Sequence, residues 1–263
     1  MYPGPPDRPG AGGRVARRRR RFALFAILLA MALAGLAVAA VGIAHGLLPR
    51  QFTATQRRQI SDWEMARRWR VLSAGKIFPA SVTYTVPATD LNATGSGLTL
   101  HAERLAISPV TGCAGALDPA ASRVLTRYGC STVLRATYLD ASGSMVATIA
   151  VAVLPASTAA SSAYTVLPGT AAGAPGPARA LPVPGTPAAG FGDAERQLSS
   201  GVAAGPYVIL STAGFTDDRG ERVASDPYLS EEMDSLANGL VSSVQNILGR
   251  QPPRPVCPGA PGC

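Results

Sequence analysis

From Phe22 to Leu48 the chain runs 27 residues without a formal charge, mostly Ala, Leu, Val and Ile. About 20 apolar residues, rising 1.5 Å each, cross a hydrocarbon core, so this run is expected to span a bilayer as one helix. His45 falls near its far end, at interfacial depth, and Pro49 stops it. Five arginines, Arg17 to Arg21, abut its first residue. Basic flanks resist translocation, which predicts a cytoplasmic N-terminus and an extracytoplasmic remainder. The outer flank is basic too (Arg50, Arg57, Arg58, Arg67, Arg68, Arg70), but it is more dilute and belongs to a segment long enough to be carried across. A cleaved signal peptide is the rival reading. Its apolar core would run about 7–15 residues, well short of this one, although Ala37-Val38-Ala39 and Ile43-Ala44 offer small residues to a peptidase.

The formal charge of +8 is unevenly spread: residues 1–50 carry a net +7, 51–76 a net +4, and 77–263 a net −3. Basicity therefore belongs to the membrane-proximal part, and the outer domain is mildly acidic. A nucleic-acid footprint needs a basic face on the folded domain itself, so nucleic acid is not an expected partner. Residues 1–21 are Pro-, Gly- and Arg-rich and cannot build a core. They are expected to form a disordered cytoplasmic tail, with the Arg run able to touch anionic headgroups.

Beyond the apolar run, residues 49–76 read as a juxtamembrane helical stalk. Met65, Trp69 and Leu72 recur at helical spacing, with Gly75 as the terminating glycine. Trp63 and Trp69, set among arginines, suit either a membrane interface or packing on the domain with Arg67 and Arg70 stacked on them.

Residues 77–249 read as an α+β domain. Ser81–Val86 and Leu98–Ile107 have strand composition, with a polar turn from Asp90 to Gly97 between them. Asp118 and Pro119 open a helix that Gly129 ends. Ser131–Leu139 and Met145–Leu154 form a hairpin, Pro155–Ala163 suits a short helix, and Gln197–Ala203 with Tyr207–Ala213 form a second hairpin around Gly205-Pro206. Between them, residues 169–192 are a Pro/Gly/Ala-rich stretch, expected to be a mobile loop. Asp226 as cap, Pro227 at the first position and the stripe Leu229, Met233, Leu236, Leu240, Val244 define a final helix that ends at Gly249. Residues 250–263 are a Pro-rich tail.

Four cysteines, all beyond the apolar run, suit an oxidising compartment. Nearest-neighbour pairing predicts Cys113–Cys130 and Cys257–Cys263; metal binding is the alternative, but neither pair has ligand spacing. His101 is the one histidine beyond the apolar run, and no nucleophile is placed with it. A Ser–Lys pair would have to use Lys76, the only lysine. Asp217-Asp218 and Glu231-Glu232 are acid pairs of the kind that usually sit on solvated loops and helix starts. No motif points to a catalytic residue, a metal or a cofactor.

Trp69–Pro79 (WRVLSAGKIFP), Gly129–Asp140 (GCSTVLRATYLD) and Pro206–Asp217 (PYVILSTAGFTD) resemble segments of actinobacterial single-pass envelope proteins. More remotely, a disulfide beside a helix, an antiparallel sheet and a long final helix are similar to sensor-like extracellular domains of mycobacterial receptor kinases. The resemblance implies a cell-membrane protein with an extracytoplasmic binding or sensing module. The expected architecture is thus α+β, with an N-terminal transmembrane helix over 22–48 followed by an extracytoplasmic antiparallel sheet packed with helices. The expected partners are the lipid bilayer and an envelope protein or ligand. An accessory role in an envelope or secretion complex, or a hydrolase with an unusual site, are the alternatives.

Overall fold

A computed structural model describes residues 26–39, 52–88, 97–170, 174–217 and 226–250. The chain divides into two compact units, Met1–Thr53 and Ala54–Cys263. In the first, residues 26–39 form helix α1, every residue of it exposed. This is the described part of the expected span; its ends, 22–25 and 40–48, lie outside the described residues. Among the described residues no helix is long and apolar enough to cross a membrane.

The second unit is a mixed α+β domain around a six-stranded antiparallel sheet: β1 Ser81–Val86, β2 Leu98–Ile107, β3 Thr132–Asp140, β4 Met145–Val153, β5 Arg196–Ala204 and β6 Tyr207–Phe215. Their order is β1-β2-β3-β4-β6-β5. The first two strands and both expected hairpins are present; the expected polar turn at 90–97 lies outside the described residues except for Gly97. Helices are α2 Ala54–Val71, α3 Ala74–Ile77, α4 Cys113–Ala116, α5 Pro119–Arg127, α6 Ser157–Thr165 and α7 Pro227–Leu248.

Side chains alternate across a strand, and here both faces are buried. One face presents Tyr84, Tyr138, Ile149, Val151, Ile209 and Phe215 to the apolar stripe of α7, which contributes Met233, Leu236, Leu240 and Val244. Asp226 caps α7 as expected, accepting from the N–H groups of Tyr228 (2.9 Å) and Leu229 (3.2 Å). The Asp140 carboxylate closes the β3–β4 hairpin by accepting from Ser142 N (2.8 Å) and Met145 N (2.7 Å), with Gly143 in the left-handed region.

The opposite face is covered in two parts. At one end α4, α5 and α6 pack Leu117, Ala121, Leu125, Ala160 and Ala163 over Val133, Ala150, Ala152 and Val208. Cys113 and Cys130, with Cα atoms 6.4 Å apart, form the expected disulfide there; Cys257 and Cys263 lie outside the described residues. At the other end the cover is the Pro/Gly/Ala-rich stretch itself. Residues 174–192, the described part of the expected loop together with 169–170, are irregular apart from a 3₁₀ turn at Pro187–Gly190, and hydrogen bonds fasten them to the sheet. One register row of the sheet carries four hydroxyls in line, Thr137, Thr148, Thr212 and Ser199. Thr137 donates to Leu181 O (2.7 Å), Thr148 accepts from Leu181 N (3.0 Å), Thr212 donates to Pro175 O (2.6 Å) and Ser199 to Ala174 O (2.9 Å). Ala188 and Phe191 then bury against Val146. A segment too poor for a core of its own is held by its main chain, and needs only small side chains to lie flat.

Arg196 fastens this strap. Its guanidinium donates to Gly176 O (2.9 Å), Ala178 O (2.8 Å) and both oxygens of Asp118 (3.1 Å each). Asp118 was expected to cap α5 through its side chain; it precedes Pro119 as expected but makes no cap hydrogen bond. The two-pronged, charge-assisted bond to a nearly buried arginine outcompetes a single neutral amide.

Candidate binding site

The site is built where α2 meets the sheet. Ile60 and Met65 are the buried residues of α2. The Tyr207 hydroxyl donates to Met65 O and accepts from Trp69 N. Burial pushes the Tyr207 phenol up to about 12, against the opposing pull of the Trp69 N–H and the Arg68 charge, so it stays a donor at neutral pH. Arg68, paired with Glu64 at 3.2 Å, reaches the end of α7 and donates to Leu248 O (3.1 Å) and Arg250 O (2.5 Å). It thereby satisfies carbonyls that the helix end leaves open and places a cation at the negative end of the α7 dipole.

Facing outward on α2, the Arg67 guanidinium stacks on Trp63 at 4.4 Å and that of Arg70 on Trp69 at 4.8 Å. Both tryptophans are half-buried, and Trp69 and Leu72 pack on the main core. The rings thus pack on the domain with arginines stacked over them.

Beside this face lies an open cavity of about 410 Å³. Trp63 and Ala66 of α2 form one wall with Asp62; Pro155, Ala156, Ser157 and Thr158 form the other, and Pro206 the floor. The sheet register brings the far wall and floor together, because Val153 and Tyr207 are paired and each is followed or preceded directly by its loop. The lining is largely apolar, with one carboxylate and two hydroxyls as polar groups. That composition suits an apolar or amphipathic ligand segment.

His101 lies elsewhere, exposed on β2 opposite Thr83. Lys76 is exposed at the end of α3. Ser73 stands three residues before it, a Ser-x-x-Lys spacing that is legible in the sequence, but Ser73 is exposed too and neither residue lines the cavity. Asp218 lies outside the described residues. Glu231 and Glu232 sit on α7, also away from the cavity. Near Glu232 are the Asp140 carboxylate and the Tyr84 hydroxyl, which is buried without a hydrogen-bond partner. Burial, then the charges of Asp140 and Glu232, raise the Tyr84 phenol, and burial, then Asp140, raise the Glu232 carboxyl. Since both Asp140 oxygens already serve the hairpin turn, this end of the sheet reads as architecture. Among the described residues no group of three His, Cys, Asp or Glu could hold a metal ion.

Comparison with protein-family models, with curated proteins and with solved structures finds no match to this chain.

Trp63 and Pro206 stand out in the sequence as an indole among arginines and a turn residue, but nothing there joins them to Asp62, Ala66 and Pro155–Thr158 as one site. A usable signal existed: Leu154-Pro155 and Gly205-Pro206 end two strands that the hairpin pattern brings near each other. Trp63, by contrast, arrives from about 90 positions away, and no local pattern announces it.

Proposed function

We propose that this is a single-pass envelope protein, anchored by a helix over 22–48, whose outer domain is a non-enzymatic module that binds a partner or ligand in the cavity beside α2. The observation that carries the binding reading is the cavity itself: an apolar wall of Trp63, Ala66, Pro155 and Pro206 with Asp62, Ser157 and Thr158 to orient what enters. Its described lining offers hydroxyls but no imidazole or amine to activate them, so the chemistry favours holding a ligand over turning it over. The anchoring reading is supported by the 27-residue uncharged run behind five arginines and by the full exposure of apolar α1, where Ile27, Leu28, Met31 and Leu36 are 57–67% accessible.

Two experiments test the two halves. For anchoring, an alkaline carbonate wash of membranes leaves the chain in the pellet, and deleting residues 22–48 releases it; release of the intact chain would reject the anchor. For binding, a photo-reactive residue placed at Ala66 in the full chain gives a discrete adduct in cells. The same residue at Ser142, on the exposed tip of the β3–β4 hairpin, gives none. Equal labelling at both positions would reject the cavity as the binding site.

A further inference from the structure

We infer that the outward face of α2 is a docking surface for the anionic phosphate headgroups of a lipid bilayer, formed by Arg67 and Arg70 and backed by Trp63 and Trp69. The inference rests on the anchoring proposed above and adds how the domain would sit once anchored.

Three observations carry it. First, α2 spends its arginines unequally. Arg68 is turned in and committed to Glu64 and the end of α7. Arg57, Arg58, Arg67 and Arg70 are exposed, and among the described residues none of them has a carboxylate within ion-pair distance. Second, Arg67 and Arg70 each lie on a half-buried indole. An amphipathic ring beneath a cation is the side-chain pairing that suits the polar–apolar boundary of a bilayer. Third, charge is separated along the strands. The α2 end is basic, whereas Asp140, Glu231, Glu232 and Asp234 gather at the hairpin and the first half of α7. The nine residues of β4 between these ends span roughly 30 Å at about 3.3 Å each, well beyond screening distance at physiological salt. An anionic surface therefore attracts one end and repels the other, which sets an orientation. In the sequence five residues, 49–53, separate the uncharged run from Ala54, the first residue of α2.

The two tryptophans of the whole chain both lie in α2, so tryptophan emission, excited at the red edge where the seven tyrosines do not absorb, reports this helix alone. The full chain is reconstituted into nanodiscs of phosphatidylglycerol or of phosphatidylcholine that carry a quencher at the headgroup. Quenching is expected to be roughly threefold or more stronger in the anionic discs, with the excess lost in high salt. The excess is also expected to vanish in the R67Q/R70Q variant and to survive in R67K/R70K, which keeps the charge. Equal quenching in both lipids, or an excess that persists in R67Q/R70Q, overturns the surface, including the case in which these arginines serve an acidic protein instead. Failure of the chain to enter discs at all overturns the anchoring and this inference with it, while insertion without lipid dependence overturns the surface alone.

Discussion

Replacing Thr148 by Val tests whether hydroxyls, and not side-chain packing, hold the 174–192 strap. Thr148 is fully buried at the centre of the hydroxyl row, bonded to Thr137 at 3.1 Å and to Leu181 N at 3.0 Å. Valine keeps the shape, so the loss is confined to hydrogen bonding. Leaving the Leu181 N–H without an acceptor costs about 1–3 kcal/mol; the Thr137–Thr148 bond joins β3 to β4 and is absent from the variant whether the strap is closed or open, and the extra buried methyl returns about 1. The net, about 1 kcal/mol, falls on the strap, because the strand pairing of Thr148 is main-chain and unchanged. A change of that size raises the open population of the strap roughly 5-fold. Arg179, within the strap and bridged to Asp193 at 2.8 Å, supplies a tryptic site to read it. In detergent-solubilised full chain, cleavage after Arg179 should rise roughly 5-fold relative to wild type, as should exchange of the Leu181 amide. Cleavage and exchange that stay within about twofold of wild type would refute the reasoning. So would wild-type cleavage at Arg179 as fast as in an unfolded peptide, because the strap would then not be held at all.

Other outcomes follow from the same contacts. Cys113→Ser with Cys130→Ser opens a loop with a sequence separation of 17, worth about 3 kcal/mol of chain entropy; a fall in Tm of roughly 6–12 °C by calorimetry is expected for a domain this size. Arg68→Met removes the charge-assisted bonds to the end of α7 and should cost about 1.5 kcal/mol, with faster amide exchange confined to the last turns of that helix. Glu232→Gln addresses pH: a carboxyl raised in the folded state contributes stability that is present below its unfolded value and lost as pH rises through the folded one. The variant should therefore be more stable than wild type at neutral pH and converge with it towards about pH 4, and parallel thermal-stability curves would count against the Glu232–Asp140 interaction.

Much of the frame was legible because it is local. Ser81–Val86 and Leu98–Ile107 have the bounds that their β-branched and alternating residues suggest, and Asp226-Pro227 opens α7 as its cap chemistry requires. The strap was not legible for a physical reason. Its order comes from main-chain carbonyls and one amide meeting hydroxyls that are 37 or more residues distant for Thr137 and Thr212, and a main-chain group leaves no mark on composition. Thr137, Thr148 and Thr212 read locally as strand formers and nothing else. Only the register, which sets them opposite one another, turns β-propensity into a docking row. Asp118 shows the converse: its position marked the helix start correctly, while its charge was claimed by Arg196 from 78 positions away.

The two covers of the sheet also bear on where a ligand can be taken. On the α7 face, Met233, Leu236, Leu240 and Val244 pack into one core with the strands. On the other face, α5 and α6 cover one end with alanines and leucines, and the strap covers the other with main chain. The described cavity lies at the edge where strands turn, and there Pro206, which closes the β5–β6 turn, and Pro155, which opens the Pro155–Thr158 segment, have no N–H to give to the ladder. α2 closes that edge only in part, through the Met65 carbonyl, which accepts from the Tyr207 hydroxyl, and leaves Trp63 facing the gap. Widening the contact would close the cavity: Thr158→Trp should fill it from the wall opposite α2 without disturbing Ala160 or Ala163, the buried residues of α6, and leaves Ala66 free to carry the photo-reactive residue. A variant that folds with wild-type Tm yet loses the adduct formed at this edge would separate the role of the opening from that of the fold.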